Sequence, residues 1–167
     1  MFKSLTCLAA LASAALAAPA TVATVPAGFE ITSSSLSGTG CPTPESAVFN
    51  YDAESAAFSM VYTEFVTTAG PGLPNPGHKE CVLSLNLTIP EGYSVSVPNF
   101  TPHTDGENNG AWLNLRDFSP PGAEDFASAC GGAAELTWDT RVLQWDEGEP
   151  ITYSVDSIDS GFIFTAC

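Results

Sequence analysis

The most regular stretch of the chain runs from Cys81 to Ile89. Cys81, Leu83, Leu85, Leu87 and Ile89 fall on one face, while Val82, Ser84, Asn86 and Thr88 fall on the other. A period of two is the mark of a half-buried strand, because successive side chains point to opposite sides of a sheet. Tyr93, Val95 and Val97 alternate in the same way with Ser94 and Ser96, until Pro98, which has no N–H to give to a ladder. Ala56 to Thr67 reads as another strand: Phe58, Met60, Tyr62 and Val66 share one phase, Val61 and Phe65 the other. Glu64 shares the first phase, and pointing inward it would be a carboxylate of raised pKa and a candidate acid. The rarity of buried charges favours the plainer expectation, that Glu64 lies near a strand end and reaches water. Further strands are predicted at Glu30–Ser37, Ala47–Tyr51, Ala111–Leu115, Glu135–Trp145, Ile151–Asp156 and Phe162–Ala166. Proline and glycine cluster between them, as in Gly70-Pro71-Gly72-Leu73-Pro74-Asn75-Pro76-Gly77. No long stretch carries helical periodicity; at most Ala123 to Ala129 forms a turn or two. About eight or nine short strands with such turns predict an all-β, antiparallel β-sandwich or flattened barrel. The 167 residues suit one domain of this kind.

The first residues read as an address. Lys3 gives a positive start, and Leu5 to Leu16 is an apolar run shorter than the roughly 20 residues a membrane span needs. Ala15-Leu16-Ala17 places small residues before a cleavage site, so residues 1–17 are expected to be a secretory signal peptide. Residues 18–28 are expected to be a short linker with little to bury, and 29–167 a single secreted domain. No second apolar run is long enough to span a membrane, and the C-terminal segment is too short for a lipid-anchor signal. The protein is therefore expected to be released outside the cell.

Loss of the signal would remove Cys7 and leave Cys41, Cys81, Cys130 and Cys167. An even number in a secreted chain reads as two disulfides. Their wide spacing lacks any Cys-x-x-Cys or His-x-His pair and does not suit a metal site. Four cysteines allow three pairings; the shorter closures favour Cys41–Cys81 with Cys130–Cys167. Asn86-Leu87-Thr88 and Asn99-Phe100-Thr101 are N-glycosylation acceptors, and the strand phase points Asn86 at solvent.

Composition narrows the partners. Acidic residues outnumber basic ones 19 to 4, a formal net charge of −15, so nucleic acid and anionic membrane surfaces would repel the chain. Hydrophobic residues at 44% and aromatics at 10% exclude a disordered acidic tail.

Candidate chemistry is sparse. There is no Gly-x-Ser-x-Gly, and the two histidines, His78 and His103, are each expected in surface loops. Asp146-Glu147-Gly148-Glu149 and Asp156 with Asp159 are the densest acidic groups; a pair about 5–10 Å apart could hydrolyse a glycosidic bond, but solvated turns account for them more simply. Asp105-Gly106-Glu107-Asn108-Asn109-Gly110 has the oxygen spacing of a calcium loop, yet Arg116 stands where the closing Glu is required. Trp138 shares a phase with Leu136 and Val142 and is expected in the core, which leaves Trp112 and Trp145 as candidate exposed aromatics for stacking on a partner. No catalytic residue, metal site or cofactor is assigned.

Several segments together resemble a known family. Gly38-Thr39-Gly40-Cys41-Pro42 follows a Ser-rich first strand, and Gly70-Pro71-Gly72 precedes Lys79-Glu80-Cys81 and the Leu83-to-Leu87 alternation. Cys130-Gly131, Val155-Asp156-Ser157-Ile158-Asp159-Ser160 and a terminal Cys167 complete the pattern. It is similar to small secreted, mostly fungal, four-cysteine proteins catalogued as a domain of unknown function. The resemblance implies a secreted β-rich domain with two disulfides and carries no activity, cofactor or catalytic residue. The function expected is non-enzymatic binding outside the cell, of a cell-wall glycan, another surface component or a host protein. A small hydrolase using a carboxylate pair on a glycan, and a structural wall component, are the alternatives.

Overall fold

The computed structural model describes residues 21–22, 24–73, 77–98, 103–105, 110–122, 126–144 and 150–167. These form twelve strands and no helix: β1 (Thr21–Val22), β2 (Glu30–Ser37), β3 (Ala47–Tyr51), β4 (Ala57–Tyr62), β5 (Val66–Ala69), β6 (Gly77–Ile89), β7 (Tyr93–Ser96), β8 (His103–Asp105), β9 (Gly110–Ser119), β10 (Gly132–Gln144), β11 (Ile151–Gly161) and β12 (Ile163–Ala166). All pairings are antiparallel. One sheet has the order β2-β6-β10-β9, a second β3-β4-β11-β5 with β8 also on β11, and a third β1-β12-β7.

The inward phase of β6 is apolar from Cys81 onward. Cys81, Leu83, Leu85, Leu87 and Ile89 are all buried, and Leu85 is fully enclosed. β10 lies alongside in register, with Leu136 opposite Leu85 and Trp138 opposite Leu83. Facing them across the core are Phe58, Met60 and Tyr62 of β4 and Tyr153, Val155 and Ile158 of β11. Burial of such side chains contributes about 1.5–3 kcal/mol each. The third sheet closes one end. Phe29 packs at 5.3 Å on Phe162 and 4.9 Å on Phe164, and Phe162 lies 5.0 Å from Phe58. With Trp138 of β10 at 5.2 Å from Phe58, all three sheets meet at one aromatic cluster.

The all-β architecture is the one the alternation predicts, and β2 and β3 have the predicted bounds. Four details differ. The stretch read as one strand over 56–67 is two, broken by a bend at Thr63–Glu64. The break resets the phase: Val66, expected inward, is 39% exposed, and Phe65 is buried in its place. Glu64 sits at the bend and is exposed, in agreement with the plainer expectation that it reaches water. His103 lies in a strand rather than a loop, paired with Ser157 of β11, and His78 opens β6. The stretch expected to have little to bury also joins the fold: Thr21 and Val22 pair with Thr165 and Phe164, and Val25 packs on the core. Of the stretch Ala123 to Ala129, expected to form at most a turn or two, residues 123–125 lie outside the described residues, and Ala127 and Ser128 make isolated bridges to Ser96 and Pro121.

Both disulfides have the pairing that short closure favours: Cys41–Cys81, with Cα atoms 5.4 Å apart, and Cys130–Cys167, at 6.3 Å. The first is buried in the core; the second lies on the surface, where it ties the end of the chain to the turn before β10.

Candidate functional site

β2 is the outer strand of its sheet, and β3 is the outer strand of the sheet facing it. The two edges leave a groove of about 570 Å³ between them. Its walls carry the hydroxyls of Ser34, Ser35, Ser37 and Thr43, and its apolar surface comes from Leu36, Ala47, Val48 and Phe49 together with Pro42 and Pro44. None of the described lining residues is ionisable, in a chain with 19 acidic side chains.

The connection from β2 to β3 shapes this groove. Gly38 has φ +128°, and a Cβ there would lie 2.4 Å from the Glu80 carbonyl oxygen. Gly40 lies against the Phe65 ring and donates its N–H to the same carbonyl at 2.6 Å. Only glycine allows that approach. Lys79 Nζ donates to the Thr39 carbonyl at 2.8 Å, and the Glu80 N–H donates to Thr39 Oγ1 at 3.2 Å. Cys41 is then crosslinked to Cys81 on β6. The turn that follows is closed by Ser46, whose Oγ donates to the Thr43 carbonyl at 2.7 Å and accepts the Thr43 N–H at 3.0 Å. One wall is therefore covalently held to the central strand, and the other starts from a hydrogen-bonded turn.

Two shallower depressions flank the sandwich. One, of about 320 Å³, includes Tyr51, Phe58, Asp52 and Asp159. Asp52 is fully exposed; the Ser55 hydroxyl, 2.6 Å away, and the Glu54 N–H hold its carboxyl below the ordinary range. A general acid of a glycosidase needs the opposite, a desolvated carboxyl of raised pKa. The other, of about 420 Å³, surrounds Asn86 on the outer face of β6. Asn86 is exposed, and its Nδ2 donates to Ser33 Oγ on the neighbouring strand at 2.8 Å. Further along this face Arg141 is ion-paired with Asp139 and lies 3.6 Å from Glu80. Hydrogen bonding and attraction from Asp139, then the charge of Glu80, raise the Arg141 guanidinium above its ordinary value. This is a structural pair: it neutralises Asp139, which is 7% exposed.

Among the predicted site residues, the four cysteines are joined as described and Trp138 is in the core at 2% exposure. Trp112 is in β9 opposite Val142, and its side chain is outside the described part, as are all of Asn99, Trp145, residues 146–149 and residues 106–109 of the acidic loop. Among the described residues no group of three or more His, Cys, Asp or Glu could hold a metal ion.

Sequence reasoning missed the groove because its walls are neighbours in space at two sheet edges. One signal was present: Thr32-Ser33-Ser34-Ser35 gives β2 little apolar alternation, as expected of a strand that covers little core.

A comparison with curated proteins finds no match. A family model does match, over residues 27–116, a span that contains every described residue lining the groove and the Cys41–Cys81 bridge. The chain belongs to the family described as a domain of unknown function, DUF4360.

Proposed function

We propose that this protein is secreted and acts, without catalysis, by binding outside the cell a partner that is uncharged where it enters the groove. One observation carries the reading: the groove between β2 and β3 is built from hydroxyls, prolines and apolar side chains, with no ionisable group among its described lining residues. General acid–base and nucleophilic hydrolysis need an ionisable or activated side chain beside the substrate. Hydroxyls beside apolar surface instead suit recognition of a chain segment that is uncharged along the groove. The two disulfides are compatible with an oxidising compartment, and we place N-linked glycans at Asn86 and Asn99. A glycan at Asn86 would occupy the outer face of β6 and leave the groove open, since Asn86 is in the outward phase.

Titration of the purified protein with neutral cell-wall polysaccharides and extracellular proteins tests the reading. Saturable binding weakened by substitution in the groove, with no change in the partner, is the expected result. Turnover of any glycan by the pure protein would overturn it.

A further inference from the structure

We infer that the groove receives an extended polypeptide strand, which adds to the free edge of β2. The inference rests on the binding reading above and names its partner.

β2 pairs with β6 on one side, and among the described residues no strand pairs on the other. Alternate N–H and C=O groups of Ser33–Ser37 therefore face the groove as a template for another strand. Edges of this kind are ordinarily guarded by lysine, proline, inward charges or bulges. Here the one bulge comes before the segment, between Ile31 and Ser33, and Ser33–Ser37 contains no charge and no proline. The opposite wall is itself an edge, β3, so the space between them has the shape of a sandwich with a strand left out.

The groove also specifies the incoming chain. Side chains of an added strand alternate. One set would meet Leu36, Ala47 and Phe49 between the sheets, and the other would lie level with Ser33, Ser35 and Ser37. The fitting segment alternates apolar and hydroxyl-bearing residues and lacks proline. Exposed Glu30 precedes the lining in sequence and exposed Glu45 interrupts it between Pro44 and Ala47, so lysine or arginine at the ends of the segment, outside the part that enters the groove, complements them. A second copy, at net charge −15, is repelled at neutral pH and is not the occupant.

The test uses the full disulfide-bonded protein and a short peptide in which valine and threonine alternate between two terminal lysines. A control peptide has proline at the central position. The expected result is saturable calorimetric binding that slows hydrogen exchange at Ser33–Ser37, with the control about tenfold weaker or worse because it lacks the central N–H. Ser34 is exposed, so Ser34→Lys should keep the melting temperature while weakening the peptide roughly tenfold. Equal binding of both peptides, or unchanged exchange in β2, would overturn the inference. Binding of cellohexaose or laminarihexaose in the groove without the peptide would overturn it too, while leaving the binding reading intact; neither class binding would remove both. A dimer seen by sedimentation at neutral pH and abolished by Ser34→Lys would give the edge to a second copy and likewise defeat it.

Discussion

Phe58 on β4 and Trp138 on β10 meet edge to face across the core, their ring centroids 5.2 Å apart at an interplanar angle of 83°. The contact joins the two sheets that carry the groove, and both side chains are almost fully enclosed, at 3% and 2% exposure. Phe58 also touches Phe49, whose ring lies 5.7 Å away and lines the groove. Replacing Phe58 by alanine removes transfer energy and leaves a cavity, so Phe58→Ala is expected to lower unfolding free energy by about 3–5 kcal/mol. Urea denaturation followed by tryptophan fluorescence measures this.

Gly38 is the tightest point of the loop that shapes the groove. A methyl group there meets the Glu80 carbonyl, part of the central strand, and cannot be relieved by turning a side chain. Gly38→Ala should destabilise by roughly 1–3 kcal/mol. Gly72 has φ +81° and nothing near its Cβ position, so Gly72→Ala carries the backbone strain without the contact. The melting temperatures of the two variants separate these causes; Gly38→Ala should show the larger fall.

The two disulfides differ in access. Cys41 and Cys81 are 3% and 1% exposed, whereas Cys130 and Cys167 are on the surface. Thiol exchange needs in-line attack on sulfur, so access sets the order. A mild reductant applied to the folded protein should open Cys130–Cys167 first, seen as alkylation of those two cysteines by mass spectrometry. Each closes a loop of similar length, at separations of 40 and 37, and each constrains the unfolded chain by about 4 kcal/mol in the chain-entropy treatment.

How much of this was legible in the sequence follows from the range of the forces involved. The strands β2 and β3 and the buried row from Cys81 to Ile89 were readable because alternation is local. The phase of Val66 was not, because the bend at Thr63–Glu64 is held by distant contacts: the Thr63 N–H donates to the Ser46 carbonyl at 3.0 Å, and the Val155 N–H to the Phe65 carbonyl. β1 and β8 are two and three residues long, and they are strands only because β12 and β11 supply their partners. The groove is legible least of all. That β2 and β3 are both outer strands is a property of the pairing order, which no local pattern encodes.

Tyr62 sets an alkaline limit to stability. Its ring is buried under the sheets, its hydroxyl is hydrogen-bonded with Thr140, and burial pushes its pKa from 10.0 up to about 12. Tyr51 is shifted in the same direction, first by burial and then by the charge of Asp52. A folded-state pKa above the unfolded one favours the protonated phenol in the native state. The stabilising contribution is therefore complete below pH ~10 and is lost as pH rises toward ~12. The expected loss for Tyr62 is about 2–3 kcal/mol. Denaturation at pH 9 and pH 11.5 measures it, and Tyr62→Phe should flatten most of the dependence.

The acidic end of the pH scale acts through the surface instead. The chain has a formal charge of −15 at pH 7 and a sequence pI near 4.1. Ordinary carboxylates titrate near ~3.9 for Asp and ~4.3 for Glu, so most of the charge disappears as pH approaches 4. Neighbouring molecules then cease to repel one another. The unguarded edge of β2 makes that approach productive, because the repulsion that forbids a second copy at neutral pH is gone. The protein should be least soluble near pH 4, with light scattering rising steeply below pH 5. Ser34→Lys should reduce the scattering more than an exposed lysine placed on the far sheet, as in Thr152→Lys, and the deglycosylated protein should be used so that glycans do not mask the edge. Scattering equal in both variants would mean that charge loss alone, with no part played by β2, governs the association.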